Sequence, residues 1–196
     1  MPKKNLTALL VFLLATSFYV FTLSPSLAWG DGVRLQSEAI SGESFVLAEM
    51  SPDEFTPDTF PFSKVGVTAW DHPLYIVLGY TLTQSLPFVD SLWLVNLISA
   101  IFGAASIMLV FLLCYRFTNS MWVSVYASLA LAVSHTFWWH SSTPEVYTLF
   151  VFLLLLSIYF FDSFERTGKS SALTFSAFFL GLAMSDHILA RLAVPA

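Results

Sequence analysis

The sequence predicts an all-α, multipass membrane protein with about five spanning helices and one long polar loop, at roughly 20 residues per crossing. Three observations carry this. Charged residues are 11% of the chain and hydrophobic ones 57%, whereas a soluble domain carries about 25% charged residues. Mean hydropathy is +0.75. The Leu, Phe, Val and Ala residues gather in long runs broken at a few places by Pro, Gly and charges.

The first run, residues 6–23, follows Lys3 and Lys4. Ser26-Leu27-Ala28 has the look of a signal-peptidase site, but the run exceeds the roughly 7–15 residues of a signal-peptide core, so an uncleaved span is expected. Residues 24–72 form the long loop. Its "SPDEFTPDTFPF" is Pro-rich and irregular, and "RLQSEAISGESFVLAEM" before it suits short interfacial helices. Residues 73–89, "PLYIVLGYTLTQSLPF" and Val89, are apolar but short, and are expected to lie at the interface or re-enter. Spans are then expected over 92–115, 123–139, 146–161 and 173–188. The chain stops soon after the last of these, and a piece of a longer protein is expected.

Basic residues orient these segments. If 73–89 does not cross, Arg116, Arg166 and Lys169 share a side with Lys3 and Lys4, as the positive-inside rule requires, and the N-terminus is cytoplasmic. Eight of the thirteen acids lie from Asp31 to Asp71, and no basic run suggests nucleic acid. The single Cys114 excludes an internal disulfide framework. Most of the Trp residues suit an aromatic belt at the headgroups.

This topology puts Asp31, Asp71, His72, His140, Glu145, Asp186 and His187 on one outer side, each near a membrane boundary. Each has a plain alternative. Asp31 in "WGDG" suits a turn as well as a general base. Asp71 or His72 in "WDHPLY" suits a helix N-cap before Pro73. In "TPEVYTL", Thr143 suits a cap, Pro144 a first helical position and Glu145 the positive end of the helix dipole. Asp186 and His187 suit a helix end at the headgroups, but an ionisable pair at membrane depth is itself a pointer to function. His135 within the third span suits a hydrogen-bonded structural role. No zinc-type spacing, Gly-rich phosphate loop or nucleophile elbow is present. A divalent cation between Asp31 and Glu145 stays open.

The order of these motifs, "GD" after the first span, then "HPLY", "WLVNLISAIFGA", "FWWHSSTPEVYTL" and "DH", resembles the GT-C type membrane glycosyltransferases. Within that group it is similar to the protein O-mannosyltransferase-like family long catalogued as a domain of unknown function. The resemblance covers nearly the whole chain. It implies a helical membrane enzyme using a polyprenyl-phosphate sugar on the extracytoplasmic face, with protein, lipid or glycan as acceptor and no resident cofactor. It makes Asp31 the essential acid of the first outer loop. It also offers Arg34, His72, His140, Glu145, Asp186 and His187 as donor- and substrate-binding groups. The sequence departs from the family in two places. The family's "GDSGE" is "GDGVRLQSE" here, leaving Glu38 as a distant second acid, and "HPPGYPL" is shortened to "HPLY".

The expectation is therefore a glycosyltransferase in the cytoplasmic membrane, if the source is bacterial, with its site facing outward. A transporter or flippase subunit without transferase chemistry is the rival, and it would place ionisable groups near the bilayer midplane. A purely structural subunit would tolerate loss of Asp31 and His72.

Overall fold

A computed structural model describes residues 3–42 and 72–193. The described residues are helical, with no strand among them. Helix α1 is Lys3–Phe21, α2 Asp31–Ser41, α3 Pro73–Ser85 and α4 Ser91–Thr118. Then come α5 Met121–Ala132, α6 His135–Ser142, α7 Tyr147–Thr167, α8 Ser170–Asp186, and a short 3₁₀ helix over Ile188–Ala193. Three of these, α1, α4 and α7, are long and apolar enough to cross a membrane.

Helix α4 is the axis. In its most apolar stretch 61% of residues are buried, against 22% in α1 and 28% in α7. The cause is its run of small residues. Ala100 and Ala104 lie against α1 and α5, packed among Ala8, Val11, Ala15, Tyr19, Ile107 and Phe111. Small side chains let helix backbones approach closely in lipid, where no hydrophobic effect drives helices together. Leu6, Leu10, Leu13 and Leu14 of α1 remain exposed, as a lipid-facing surface would. A second core joins Leu35 and Ala39 of α2, Tyr75 and Ile76 of α3, Val95 and Ile98 of α4, Leu149 and Leu153 of α7 and Ala183 of α8.

Helix ends are set by local chemistry. Asp90 caps α4 by accepting from the Trp93 N–H at 2.8 Å, and Ser120 caps α5 through Val123 at 3.4 Å. Gly168, at φ +65°, closes α7 in the left-handed conformation that glycine adopts without strain and turns the chain straight into α8. The α7–α8 pair is pinned midway by buried Ser157 and Ser176, each hydroxyl accepted by the other's carbonyl at 3.0 and 2.9 Å.

The two ends of the bundle differ in charge. Lys4 sits over the Tyr115 ring, 6.0 Å from its centroid. Arg116 pairs with Asp162 at 2.9 Å, and so does Arg166. The start of α1 and the ends of α4 and α7 therefore share one end, as the distribution of basic residues predicts.

Several expectations need correction. The single span expected over 123–139 is two helices, broken at Val133 and Ser134, where the Ser134 N–H returns to the Leu131 carbonyl. His135, expected within the third span, is the exposed first residue of α6. Thr143 does not cap the next helix. It follows α6, and its hydroxyl donates back to the Trp139 carbonyl. Pro144 and Glu145 lie in the link, and α7 starts only at Tyr147. Asp31 opens a helix instead of sitting in a plain turn. The last span, expected to 188, ends at Asp186. Helix α3, with 13 residues, is about 20 Å long and shorter than the roughly 30 Å hydrocarbon core.

One buried polar network fastens the chain after α1 to α4. Gln36 accepts from the Ala28 N–H at 3.0 Å and donates to Asn96 at 2.8 Å, and Asn96 donates to the Ser24 carbonyl at 2.9 Å. Gln36 and Asn96 are fully buried. Asn96→Ala orphans the Gln36 amide and the Ser24 carbonyl, at a cost of about 1–3 kcal/mol. Thermal unfolding of the detergent-solubilised protein should show this as a clear drop in midpoint.

Candidate functional site

The end of the bundle opposite the basic residues gathers the polar groups. Three connections bring them there: the α1–α2 link, the α6–α7 link and the end of α8 against the start of α3.

Asp31 is exposed at the first turn of α2, where the helix dipole favours a carboxylate. The glycine after it matters. A Cβ at Gly32 would lie 2.6 Å from the Ala28 Cβ and 3.3 Å from the Pro144 ring, so only glycine lets α2 start against the α6–α7 link. That contact sets Asp31 near Glu145. Burial holds the Glu145 carboxyl above its ordinary range, and the Asp31 carboxylate raises it further. Glu145 is thus the acid on which the Asp31 charge acts. Glu38, the distant candidate, is fully buried and pairs with Arg34 at 3.0 Å. Arg34 is engaged in that pair on its own helix.

His140 lies 3.9 Å from Glu145, too far for a hydrogen bond. Its Nδ1 is buried and has no hydrogen-bond partner. The rings continue from there: His140 to Tyr147 at 4.8 Å, Tyr147 to His187 at 5.2 Å, and His187 stacked on His72 at 5.3 Å.

The two stacked histidines are held in definite tautomers by their partners. His72 Nδ1 lies 2.6 Å from the Asp186 carbonyl, which can only accept, so Nδ1 carries a proton. His187 Nδ1 accepts from the Leu189 N–H at 3.2 Å, so the neutral ring carries its proton on Nε2. His72 itself sits in the left-handed conformation at φ 51°, just before Pro73 opens α3. It occupies the N-cap position but makes no side-chain capping bond. Asp186 is fully buried. Its Oδ1 accepts from the Tyr75 N–H at 3.2 Å, and its Oδ2 has no partner.

A cavity of about 330 Å³ adjoins His140. It is lined by Leu131, Phe137, Tyr147, Thr148 and Val151, among others, so its wall is largely apolar. The buried Thr148 hydroxyl on this wall also has no hydrogen-bond partner.

Asp31 lies close enough for its charge to act on Glu145, His140 lies 3.9 Å from Glu145, and a chain of rings leads from His140 to His187 and His72, next to Asp186. Asp71 lies outside the described residues. Among the described residues no group of three or more His, Cys, Asp and Glu is placed to hold a metal ion. Sequence reasoning missed Tyr75, Asn96 and Ser99, which hold these segments in place. The signal for the last two was a polar residue inside an apolar helix, in "VNLIS".

A family profile described as the protein O-mannosyl-transferase TMEM260 N-terminal domain matches residues 71–196. No solved structure matches the chain.

The Glu145 environment gives a pH-dependent prediction. Its folded pKa lies above the ordinary 4.5, so the folded state holds this proton more tightly than the unfolded one. Stability from this group is full below pH 4.5 and is lost as pH rises through the folded value. At neutral pH the ionised carboxylate beside Asp31 is therefore a cost. Glu145→Gln should raise the unfolding midpoint at pH 7, and the gain should vanish near pH 4, as read by thermal melts across pH.

Proposed function

The chain belongs to the protein O-mannosyl-transferase TMEM260 N-terminal family, and from that premise we propose that it forms the membrane part of a glycosyltransferase. On this reading a mannosyl unit moves from a polyprenyl-phosphate donor to a hydroxyl acceptor, a protein side chain first among them, on the extracytoplasmic face. The observation that carries the proposal is the convergence of Asp31, Glu145 and His140 with the His72–His187 pair. They gather at the bundle end away from Lys4, Arg116 and Arg166.

The positive-inside rule puts the basic end in the cytoplasm and the carboxylate end outside. Five crossings satisfy this, by α1, α4, α5 with α6, α7 and α8, with α2 and α3 on the outer side. That arrangement suits a GT-C-like architecture. The groups lie at helix ends and not at mid-depth, which favours the enzyme over a transport path.

Each residue has a task. Asp31 takes the proton from the acceptor hydroxyl as that oxygen bonds to the anomeric carbon. The bond from that carbon to the phosphate oxygen breaks on the opposite face, and its electron pair leaves with the phosphate, so configuration inverts. His187, with its proton on Nε2, donates to the leaving phosphate, and His72 beside it adds a second contact. Glu145 and His140 bind sugar hydroxyls and hold Asp31 in place. The apolar cavity beside His140 suits the first prenyl units, with the unpartnered His140 and Thr148 atoms at its polar points.

Asp31→Asn should cut transfer by about 10²-fold or more, the range for loss of a general base. The assay is label from polyprenyl-phosphate mannose entering product in membranes holding the full-length protein. Undiminished transfer would remove Asp31 as the base. Val151→Trp, which fills the cavity, should raise KM for the donor several-fold while leaving the pH profile unchanged.

A further inference from the structure

The tyrosine of "HPLY" and the serine of "VNLIS" have no part in the chemistry above, yet they join its two halves. Ser99, fully buried on α4, has one hydroxyl proton and two lone pairs. Its Oγ accepts from the Glu145 N–H at 3.0 Å and donates to the Glu145 carbonyl at 3.1 Å. One side chain thus holds both backbone polar groups of Glu145. The remaining lone pair faces the Tyr75 hydroxyl at 3.0 Å, which also lies 3.1 Å from the Val95 carbonyl. Tyr75 is fully buried, and its own N–H holds Asp186, whose carbonyl holds His72.

A line of polar contacts therefore runs from His72 through Asp186, Tyr75 and Ser99 to Glu145, with the single Tyr75 hydroxyl proton shared between the Val95 carbonyl and Ser99 Oγ. Glu145 lies in the link between α6 and α7, with no helix ladder of its own to fix it. With its N–H and C=O both held, its Cα and the direction of its side chain are set from α4. Without Ser99, those two groups would be left unpaired.

Resting on the site reading above, we propose that Ser99 and Tyr75 are positioning residues: they aim the Glu145 carboxylate at Asp31 and keep it in register with the His72–His187 pair. Neither touches substrate. They act through Glu145, so their effect should disappear when Glu145 has already lost its carboxylate.

The test is a double-mutant cycle on the full-length protein in membranes, with labelled polyprenyl-phosphate mannose. Ser99→Ala should lower kcat about tenfold, the size of one hydrogen bond's misplacement, with KM for the donor changed less than about twofold. In a Glu145→Gln background the same change should cost less than about twofold. Equal losses in both backgrounds would overturn the proposal, because Ser99 would then act only through general stability. An unchanged kcat in Ser99→Ala would overturn it too.

Tyr75→Phe keeps the ring and the backbone bond to Asp186, so it reports on the hydroxyl even if Ser99→Ala fails to fold. It should show a smaller loss, again confined to the Glu145 background. If Glu145→Gln leaves too little transfer to compare, the acid limb of the kcat profile decides. Tyr75→Phe should shift that limb, and an unmoved limb overturns the proposal. Asp31→Asn, assayed alongside, separates the two failures. Full transfer in that variant removes the site reading. Loss there, with additive Ser99 losses, removes only the positioning role.

Discussion

A polar group buried in an apolar helix has to find a partner, because leaving it bare costs as much as a lost hydrogen bond or more. Helix α4 carries two such groups near its start, Asn96 and Ser99, both fully buried. Neither is satisfied by its own helix. Asn96 reaches the chain that leads to Asp31, and Ser99 reaches the backbone of Glu145. The need to satisfy two side chains on the central helix therefore places the two segments that carry the acids. The small residues one turn further along α4 let the neighbouring helices come close enough for those bonds to form.

That constraint also explains how two carboxylates tolerate each other. Glu145 is half-buried beside a like charge, which raises its pKa, while Asp31 is exposed at a helix start that favours its charge. Burial thus sets Glu145 apart from its exposed neighbour, and different surroundings are a common way to give neighbouring carboxyls different tasks. At the other end of the bundle the arrangement is reversed. There Asp162 lies between Arg116 and Arg166 and is well compensated. The molecule keeps its strained charges at one end and its relaxed ones at the other.

Much of this was legible in the sequence. The apolar runs marked α1, α4 and α7, and the basic residues predicted which helix ends lie together. The candidate acids and histidines were singled out because ionisable groups are costly in apolar surroundings. What could not be read was how they meet. Glu145 was taken as a helix-start residue because Thr-Pro-Glu has that pattern, but its N–H is claimed by Ser99, 46 positions away in the chain. Glu38 looked like the nearest second acid by sequence distance, yet its position on α2 turns it inward to Arg34. The break at Val133 and Ser134 carries neither Pro nor Gly, so composition alone gave a continuous helix. The Glu145 miss comes from long-range packing, the Glu38 miss from a partner one turn away on its own helix, and the missed break from a local turn in which the Ser134 N–H returns to the Leu131 carbonyl.

The break between α5 and α6 has a further consequence. The cavity lies at that break, walled mainly by helix flanks of α5, α6 and α7, with Ser134 of the break itself in the wall. Where such a wall faces lipid, a cavity in it is approached sideways, from between helices. A ligand with a long hydrocarbon tail can then seat its head while the tail stays dissolved among acyl chains. Lifting that tail into water would cost about 0.8 kcal/mol for every methylene. A binding step that never requires this lift is governed by diffusion in two dimensions, and the thickness and order of the surrounding lipid become part of its rate.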